Sequence, residues 1–162
     1  MANPGRAWRV DKSVAGGGLF NDLSPHQLDL MYYFFGEPAQ ADGVSYNQSK
    51  QYSAEDIVSG NILFRSGVVF SGIWCFNVAP ELEKDCCEII GEKGKIEFSF
   101  FEHKPILLTV DGKTETINFD PLQHVQQPMI ENVVKYFLGE GPNPCSGEEG
   151  VKVMQLIDQF SH

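Results

Sequence analysis

Residues 57–76 read IVSGNILFRSGVVFSGIWCF, which is two runs of β-branched and aromatic side chains separated by a short turn segment. Runs of this composition, bounded by turn residues, are typical of strands that pair as a hairpin. The pattern predicts strands over residues 57–64 and 68–76, joined through Arg65-Ser66-Gly67. We therefore expect an antiparallel sheet at the centre of the fold.

The strand pattern extends in both directions from this hairpin, from about Ala41 to Phe119. A second hairpin is predicted from residues 87–90 and 95–100, around Gly91-Glu92-Lys93-Gly94. A third is predicted from residues 106–110 and 114–119, around Asp111-Gly112, a dipeptide that favours a type I′ turn. We expect five or six strands in one sheet.

Helical periodicity replaces the strand pattern at both ends of the chain. Ser24-Pro25-His26-Gln27 has the form of a capping box with proline at the first helical position, and it predicts a helix over Pro25–Phe35. A second helix is indicated by an apolar stripe at Val125, Met129, Val133 and Phe137.

A last helix is predicted after Ser146-Gly147-Glu148-Glu149, a second capping box. Its expected apolar side carries Val151, Met154, Ile157 and Phe160. The order of helix, meander and helices indicates an α+β fold, with helices packed on one face of a predominantly antiparallel sheet. Residues 1–162 are predicted to form a single domain.

The composition excludes some classes of partner. The chain has 22 acidic and 12 basic side chains, a formal net charge of -10, whereas phosphate binding relies on clustered Lys and Arg. We therefore expect no nucleic-acid partner and no membrane partner. No apolar run approaches the roughly 18 residues that span a bilayer, and the expected location is cytoplasmic.

The cysteines do not indicate a disulfide framework or a metal site. Their spacing is irregular, and two of them are neighbours, which on an extended segment point to opposite faces of a sheet. We expect all of them to be reduced and mostly buried; they are Cys75, Cys86, Cys87 and Cys145.

The densest group of chemically informative residues is 15–26, which reads AGGGLFNDLSPH. Three glycines allow the backbone to approach another surface closely, and they lead into a predicted helix N-terminus. Gly17 and Gly18 are therefore candidate ligand-binding residues. A phosphate-cradling loop is not indicated, because no buried strand precedes the glycines and neither a third glycine of G-x-G-x-x-G nor a P-loop lysine follows.

Asp22 and His26 are the candidate catalytic pair. The helix dipole disfavours a positive charge on a histidine in the first turn. Such a histidine therefore stays neutral and can accept a proton from a substrate. A carboxylate four residues earlier can bind a substrate hydroxyl or orient the imidazole. From spacing alone, the alternative stays open that Asp22 caps the helix and His26 is a satisfied polar residue at its end. A metal site is not signalled, since no third ligand lies nearby.

These residues resemble a known family. Gly16-Gly17-Gly18, then Asp22, His26 and Asp29, are similar to the G-G-G-x-x-x-D-x-x-x-H-x-x-D signature of Gfo/Idh/MocA oxidoreductases. The similarity extends over almost the whole chain, including Trp8-Arg9, the Gly91–Lys95 turn and the Pro144–Gly150 segment. It implies the C-terminal domain of such an enzyme, with an open-faced sheet of the dihydrodipicolinate-reductase-like type that serves substrate binding and oligomerisation.

The resemblance also implies a function. Members of the family exchange a hydride between NAD(P) and a sugar, inositol or related hydroxyl. His26 would then handle the hydroxyl proton, and Asp22 would bind the substrate and tune the histidine. Arg9 and Lys12, which lead into the glycine loop with Arg6, are candidate substrate-binding residues, although a solvated basic segment stays open as the alternative.

The family carries its cofactor on an N-terminal Rossmann domain with a catalytic lysine in a Glu-Lys-Pro motif, and neither is found in this sequence. Glu102-His103-Lys104-Pro105 differs by an inserted histidine and lies between two predicted strands, so Lys104 is expected to be a solvated charge at the sheet edge, and His103 and His124 are expected on the surface. We expect no NAD or NADP bound to this chain alone, which would be inactive without the missing Rossmann domain.

A homodimer through the sheet is expected because the predicted strands carry apolar side chains on both faces, so the face without helices needs a cover. Two alternatives to a dehydrogenase domain stay open. One is a domain of an NAD-dependent glycoside hydrolase, which some relatives of the family are. The other is a stand-alone ligand-binding or dimerisation module.

Overall fold

The computed structural model describes residues 8–161. The helices are α1 (Lys12–Ala15), α2 (Leu19–Phe35), α3 (Gln127–Phe137) and α4 (Gly147–Phe160). The strands are β1 (Pro38–Tyr46), β2 (Ile57–Phe64), β3 (Val69–Cys75), β4 (Cys87–Gly91), β5 (Gly94–Phe98), β6 (Ile106–Val110) and β7 (Lys113–Ile117). The chain divides into two compact units, one ending at Ala79 and resuming at Cys145, the other Pro80–Pro144.

The first unit is a three-stranded antiparallel sheet, in the order β1-β2-β3, with α2 and α4 packed on one face. Alternation along β2 buries Val58, Ile62 and Phe64 on the helix side. The helices contribute fully or almost fully buried side chains, which are Phe20, Leu28, Met31, Val153, Leu156, Ile157 and Phe160. These residues form the hydrophobic core.

Two glycines of the sheet make room for Phe160 of α4. A Cβ at Gly60 would lie 2.5 Å from the Phe160 ring, and a Cβ at Gly43, the partner of Gly60 across β1 and β2, would lie 2.9 Å from the Phe160 Cα. The ring stacks on Phe20 at 6.3 Å, and Phe20 meets Trp74 edge to face at 4.9 Å. The pair of glycines therefore lets α4 approach the sheet closely.

The second unit is a four-stranded antiparallel meander, in the order β4-β5-β6-β7, together with α3. Asp111 and Gly112 both have positive φ, at 50° and 72°, as a type I′ turn requires. No residue of α3 is buried. The apolar side chains of this helix, with Met129 and Phe137 at 53% and 79% exposure, are therefore open to solvent in the described structure.

The α+β class and the predicted hairpins are confirmed. The strands differ from the sequence prediction in one respect, since within residues 8–161 seven strands form two separate sheets rather than five or six strands forming one. Residues 76–86 separate the sheets, with Pro80–Leu82 forming a 3-10 turn that interrupts the pattern. No helix within residues 8–161 is long and apolar enough to cross a bilayer.

The predicted start of the first long helix is wrong. Helix α2 begins at Leu19, not Pro25, and Gly18 is its N-cap with an extended backbone. Ser24 does not cap anything, because it lies inside the helix, is fully buried and has no hydrogen-bond partner among the described residues. The helix starts earlier because Phe20, Ser24, Leu28 and Met31 lie on one helical stripe that faces the core.

The second predicted capping box is confirmed at Ser146. Its hydroxyl accepts a hydrogen bond from the Glu149 N–H, and the Glu149 carboxylate accepts one from the Ser146 N–H, which lowers the pKa of Glu149. The predicted apolar side is wrong in part. Helix α4 buries Val153 and Leu156 with Ile157 and Phe160, whereas Val151 and Met154 are exposed.

The expectation that the cysteines are mostly buried is wrong. The four cysteines form no disulfide with one another, but Cys86 and Cys145 are exposed, and Cys75 and Cys87 are only half-buried. Burial raises the pKa of the Cys87 thiol to about 11, and the neighbouring Cys86 and Asp85 add to the shift. Cys87 is therefore protonated and unreactive at neutral pH.

We predict opposite outcomes for the same substitution at two serines. Ser24→Ala removes a buried hydroxyl that has no partner, so the free energy of unfolding should stay equal or rise by up to about 1 kcal/mol. Ser146→Ala removes a cap and should lower it by about 1 kcal/mol. Urea unfolding followed by circular dichroism measures both. A loss at Ser24 as large as that at Ser146 would mean that Ser24 is a cap after all.

Candidate functional site

The glycine segment connects two helices. Asp11 caps the short helix α1 by accepting from the Ser13 N–H at 3.0 Å, and Gly16 ends it with a left-handed backbone at φ 78°. The chain then becomes extended at Gly18, from which α2 begins. The left-handed conformation at Gly16 favours glycine, because a Cβ would clash with the backbone there.

Glu55 binds the end of this segment, and no local sequence pattern indicates it. Glu55 is 7% exposed, and its Oε1 accepts a hydrogen bond from the Gly18 N–H at 2.9 Å. Its Oε2 lies 3.7 Å from Lys12 Nζ, so the buried carboxylate has both a donor and a cation. In a capping box this N-cap N–H is bound by the third residue of the helix itself. Here a residue 37 positions away supplies the acceptor.

Gly17 and Gly18 are also fixed by close packing. A Cβ at Gly18 would lie 2.4 Å from the backbone oxygen of Glu55, which leaves no space for any side chain. A Cβ at Gly17 would overlap the side chain of Asn21, at 2.4 Å from its Nδ2. Packing therefore accounts for glycine at both positions without any ligand. The predicted contact of the two glycines with a substrate stays a prediction.

Asp22 lies in the first turn of α2 and pairs with Arg9. The Arg9 Nε lies 3.1 Å from Asp22 Oδ2, and both side chains are partly exposed. The guanidinium also lies over the Trp8 ring, with Cζ 4.5 Å from its centroid. The structure thus brings together two residues that the sequence had placed separately, one as a catalytic carboxylate and one as a candidate substrate contact.

His26 is exposed on α2, one turn after Asp22. Residues four apart share one side of a helix, so the imidazole and the carboxylate lie on the same open face. Asp29, seven residues after Asp22, is exposed on this face as well. The predicted place of His26 in the first turn is wrong, because α2 begins at Leu19. The dipole effect fades within that first turn and does not reach the imidazole at full strength.

The other candidate residues lie as follows. Lys12 is exposed at 59% and reaches Glu55, so it is not a free surface cation. Lys104 pairs with Glu102, and His103 contacts the ring of Phe119. His103 and His124 are exposed, as the sequence predicted. Arg6 lies outside the described residues.

The chemistry available on this face is that of an exposed imidazole one helical turn from a carboxylate. Such a pair can bind a hydroxyl group and exchange its proton. No group of three or more His, Cys, Asp or Glu side chains suited to a metal ion occurs among residues 8–161. The face therefore offers acid–base and hydrogen-bonding groups.

Comparison with protein families gives a clear assignment. Residues 1–97 match the family described as the GFO/IDH/MocA C-terminal domain. The chain belongs to this family, and the resemblance seen in Gly16–Asp29 is confirmed. Two curated proteins that this chain resembles are named as an oxidoreductase and a 1,5-anhydro-D-fructose reductase.

The most informative relatives are similar over nearly the whole chain. Oxidoreductase P35 of Formosa agariphila is 44% identical over 153 residues, which is 94% of this chain and 46% of that protein. The structure of an aldose-aldose oxidoreductase from Caulobacter crescentus, complexed with glycerol, is 20% identical over 98% of this chain and 48% of its own, with a TM-score of 0.81.

A second similar structure is that of levoglucosan dehydrogenase in complex with NADH and levoglucosan. It is 20% identical and covers 96% of this chain and 50% of its own, with a TM-score of 0.79. The chain thus spans about half the length of the relatives it matches. At these identities the two structures establish the fold of this chain.

Proposed function

We propose that this chain is the substrate-binding and oligomerisation part of an NAD(P)-dependent oxidoreductase that acts on a hydroxyl or ketone group of a sugar or cyclic polyol. The observation that carries the proposal is the pair of Asp22 and His26 on one open face of α2, in a chain of this family. The substrates named for the similar structures, aldoses and levoglucosan, support the substrate class. The cytoplasmic location inferred from the sequence stays a prediction.

The glycine segment does not fit the diphosphate of a dinucleotide. The glycine segment follows a helix rather than a strand, and the Gly18 N–H already binds the carboxylate of Glu55. That carboxylate would repel a phosphate in the same place. We therefore propose that NAD or NADP is held by a separate Rossmann domain and that this chain alone is inactive.

The proposed role of His26 is to accept or return the hydroxyl proton. Oxidation of an alcohol to a carbonyl removes a hydride from carbon and a proton from oxygen, and the proton needs an acceptor. An exposed imidazole one turn from a carboxylate can fill that role, and a positioned base is worth about a hundred- to ten-thousand-fold in rate. Asp22 would bind a neighbouring hydroxyl, and its ion pair with Arg9 at 3.1 Å holds the carboxylate in place.

We also propose a homodimer through the face of the first sheet that α2 and α4 leave open. The strand register places Val44, Ser59 and Ile73 in one row across this face, and Gln40, Leu63 and Val69 in another. Val69 and Ile73 are 69% and 75% exposed, and Val44 is 63% exposed. Apolar side chains on an uncovered sheet face are typical of an interface between copies of a chain.

His26→Ala in the complete enzyme, which joins this chain to its nucleotide-binding domain, should lower kcat at least about a hundredfold. The free energy of unfolding should be unchanged, because His26 is exposed and lies outside the buried stripe of α2. Initial rates of NAD(P)H formation with a sugar substrate measure the effect. His124, which is also exposed, provides the matched control, and His124→Ala should retain full activity.

Two results would contradict the proposed role of His26 and favour a purely structural one. If His26→Ala unfolds the protein and the folded fraction keeps its turnover, the residue is structural and the proposed role is wrong. Turnover equal to that of His124→Ala would lead to the same conclusion.

Ile73→Glu should convert the dimer to a monomer. A charge at this position would be buried without a partner between the two sheets of the dimer. Ile90→Glu is the matched control, because Ile90 is 74% exposed against 75% for Ile73 and lies on the other unit. Sedimentation velocity distinguishes the two species. A monomeric wild type, or an Ile73→Glu variant that remains dimeric, would contradict the proposed interface.

A further inference from the structure

Among residues 8–161, the two cations that lead into the glycine segment are both paired with carboxylates. Arg9 pairs with Asp22 at 3.1 Å, and Lys12 reaches Glu55 at 3.7 Å. From the sequence, Arg9 and Lys12 were candidate contacts for a substrate, and two unpaired cations beside a glycine segment would favour an anion. In the structure neither of them is unpaired.

The local charge balance is acidic. Residues 8–29 contain two cationic side chains, Arg9 and Lys12, against the three carboxylates of Asp11, Asp22 and Asp29. Glu55 adds a fourth carboxylate from the segment just before β2, and its Oε1 occupies the Gly18 N–H that an incoming anion would otherwise use. An anionic ligand at this face would therefore meet a negative potential and find no open donor at Gly18.

Glu55 is held rigidly in this position. The backbone of the preceding segment is tied to the N-terminal region, since Ala54 N–H donates to the Val10 carbonyl at 3.3 Å and Ser53 Oγ accepts from the Lys12 N–H at 3.0 Å. The backbone carbonyl of Glu55 also packs closely against Gly18, where a Cβ would lie 2.4 Å from the carbonyl oxygen. The segment that carries Glu55 is therefore anchored, and its buried carboxylate lies against Lys12 and the Gly18 N–H.

From this we infer that Glu55 is a specificity-determining residue, which makes the site selective for uncharged polyhydroxy substrates over sugar acids and sugar phosphates. The inference rests on the proposed function and narrows its substrate class. Glu55 acts through Lys12 and Gly18, and it need not touch the substrate itself. Hydroxyl groups satisfy Asp22 and His26 by hydrogen bonding and bring no charge into the acidic surroundings.

The test compares matched neutral and anionic sugars with the complete enzyme. A panel of aldoses, anhydro sugars and cyclic polyols identifies the best neutral substrate, and its kcat/KM is compared with that of the corresponding uronic acid. The wild type should prefer the neutral sugar. Glu55→Gln keeps an acceptor for the Gly18 N–H but releases Lys12, so the ratio of anionic to neutral kcat/KM should rise about threefold. The rise should shrink at high salt, which a purely structural effect would not do.

Lys12→Met removes the cation instead of the carboxylate. It also keeps the inference testable if Glu55→Gln does not fold, because the Lys12 side chain is 59% exposed and its replacement should not unfold the protein. It leaves the Glu55 carboxylate uncompensated, so the same ratio should fall. Glu88→Gln is the control for charge alone: it removes a carboxylate that lies 3.1 Å from Lys95 in the second unit, and the ratio should not move.

A wild-type preference for the uronic acid would overturn the inference while leaving the proposed oxidoreductase intact. The inference would also be overturned if the ratio of anionic to neutral kcat/KM were the same in Glu55→Gln, Lys12→Met and Glu88→Gln. The absence of turnover with every neutral and anionic sugar would contradict the proposed function itself, and with it the inference.

Discussion

A buried carboxylate fixes the place where helix α2 begins. Glu55 accepts a hydrogen bond from the Gly18 N–H at 2.9 Å, and its carbonyl packs against Gly18, so the helix starts beside the segment that leads into β2. The rest of the site follows from that start. Asp22 comes in the first turn, within reach of Arg9, and His26 comes one turn later on the same open face.

Features that depend on neighbouring residues could be predicted from the sequence. The turn at Asp111-Gly112 needs positive φ at both residues, and the capping box at Ser146 is complete within four residues, so each pattern determines its own structure. Ser24 had the same pattern as Ser146 and the prediction was wrong. The difference lies in Phe20, whose burial against Trp74 extends the helix beyond the apparent cap. Local capping preferences are worth about 1 kcal/mol, which is less than the burial of a phenylalanine.

Features that depend on residues far apart in the sequence could not be predicted from it. Asp22 and His26 are predicted as site residues because their spacing is part of a family signature, whereas Glu55 lies 37 positions from its partner and carries no local signal. The pairing of Arg9 with Asp22 depends on the same packing. The separation of the strands into two sheets was missed because residues 76–86 looked like one more connection in a continuous meander.

The central claim is that this chain supplies the substrate side of an oxidoreductase and that a separate domain holds the cofactor. Titration of NADH and NADPH, followed by nicotinamide fluorescence, tests it most directly when it is performed on the 162-residue chain and on the chain joined to a nucleotide-binding domain. We expect saturable binding of one of the dinucleotides by the joined protein and none by the chain alone. Tight binding by the isolated chain would contradict the account.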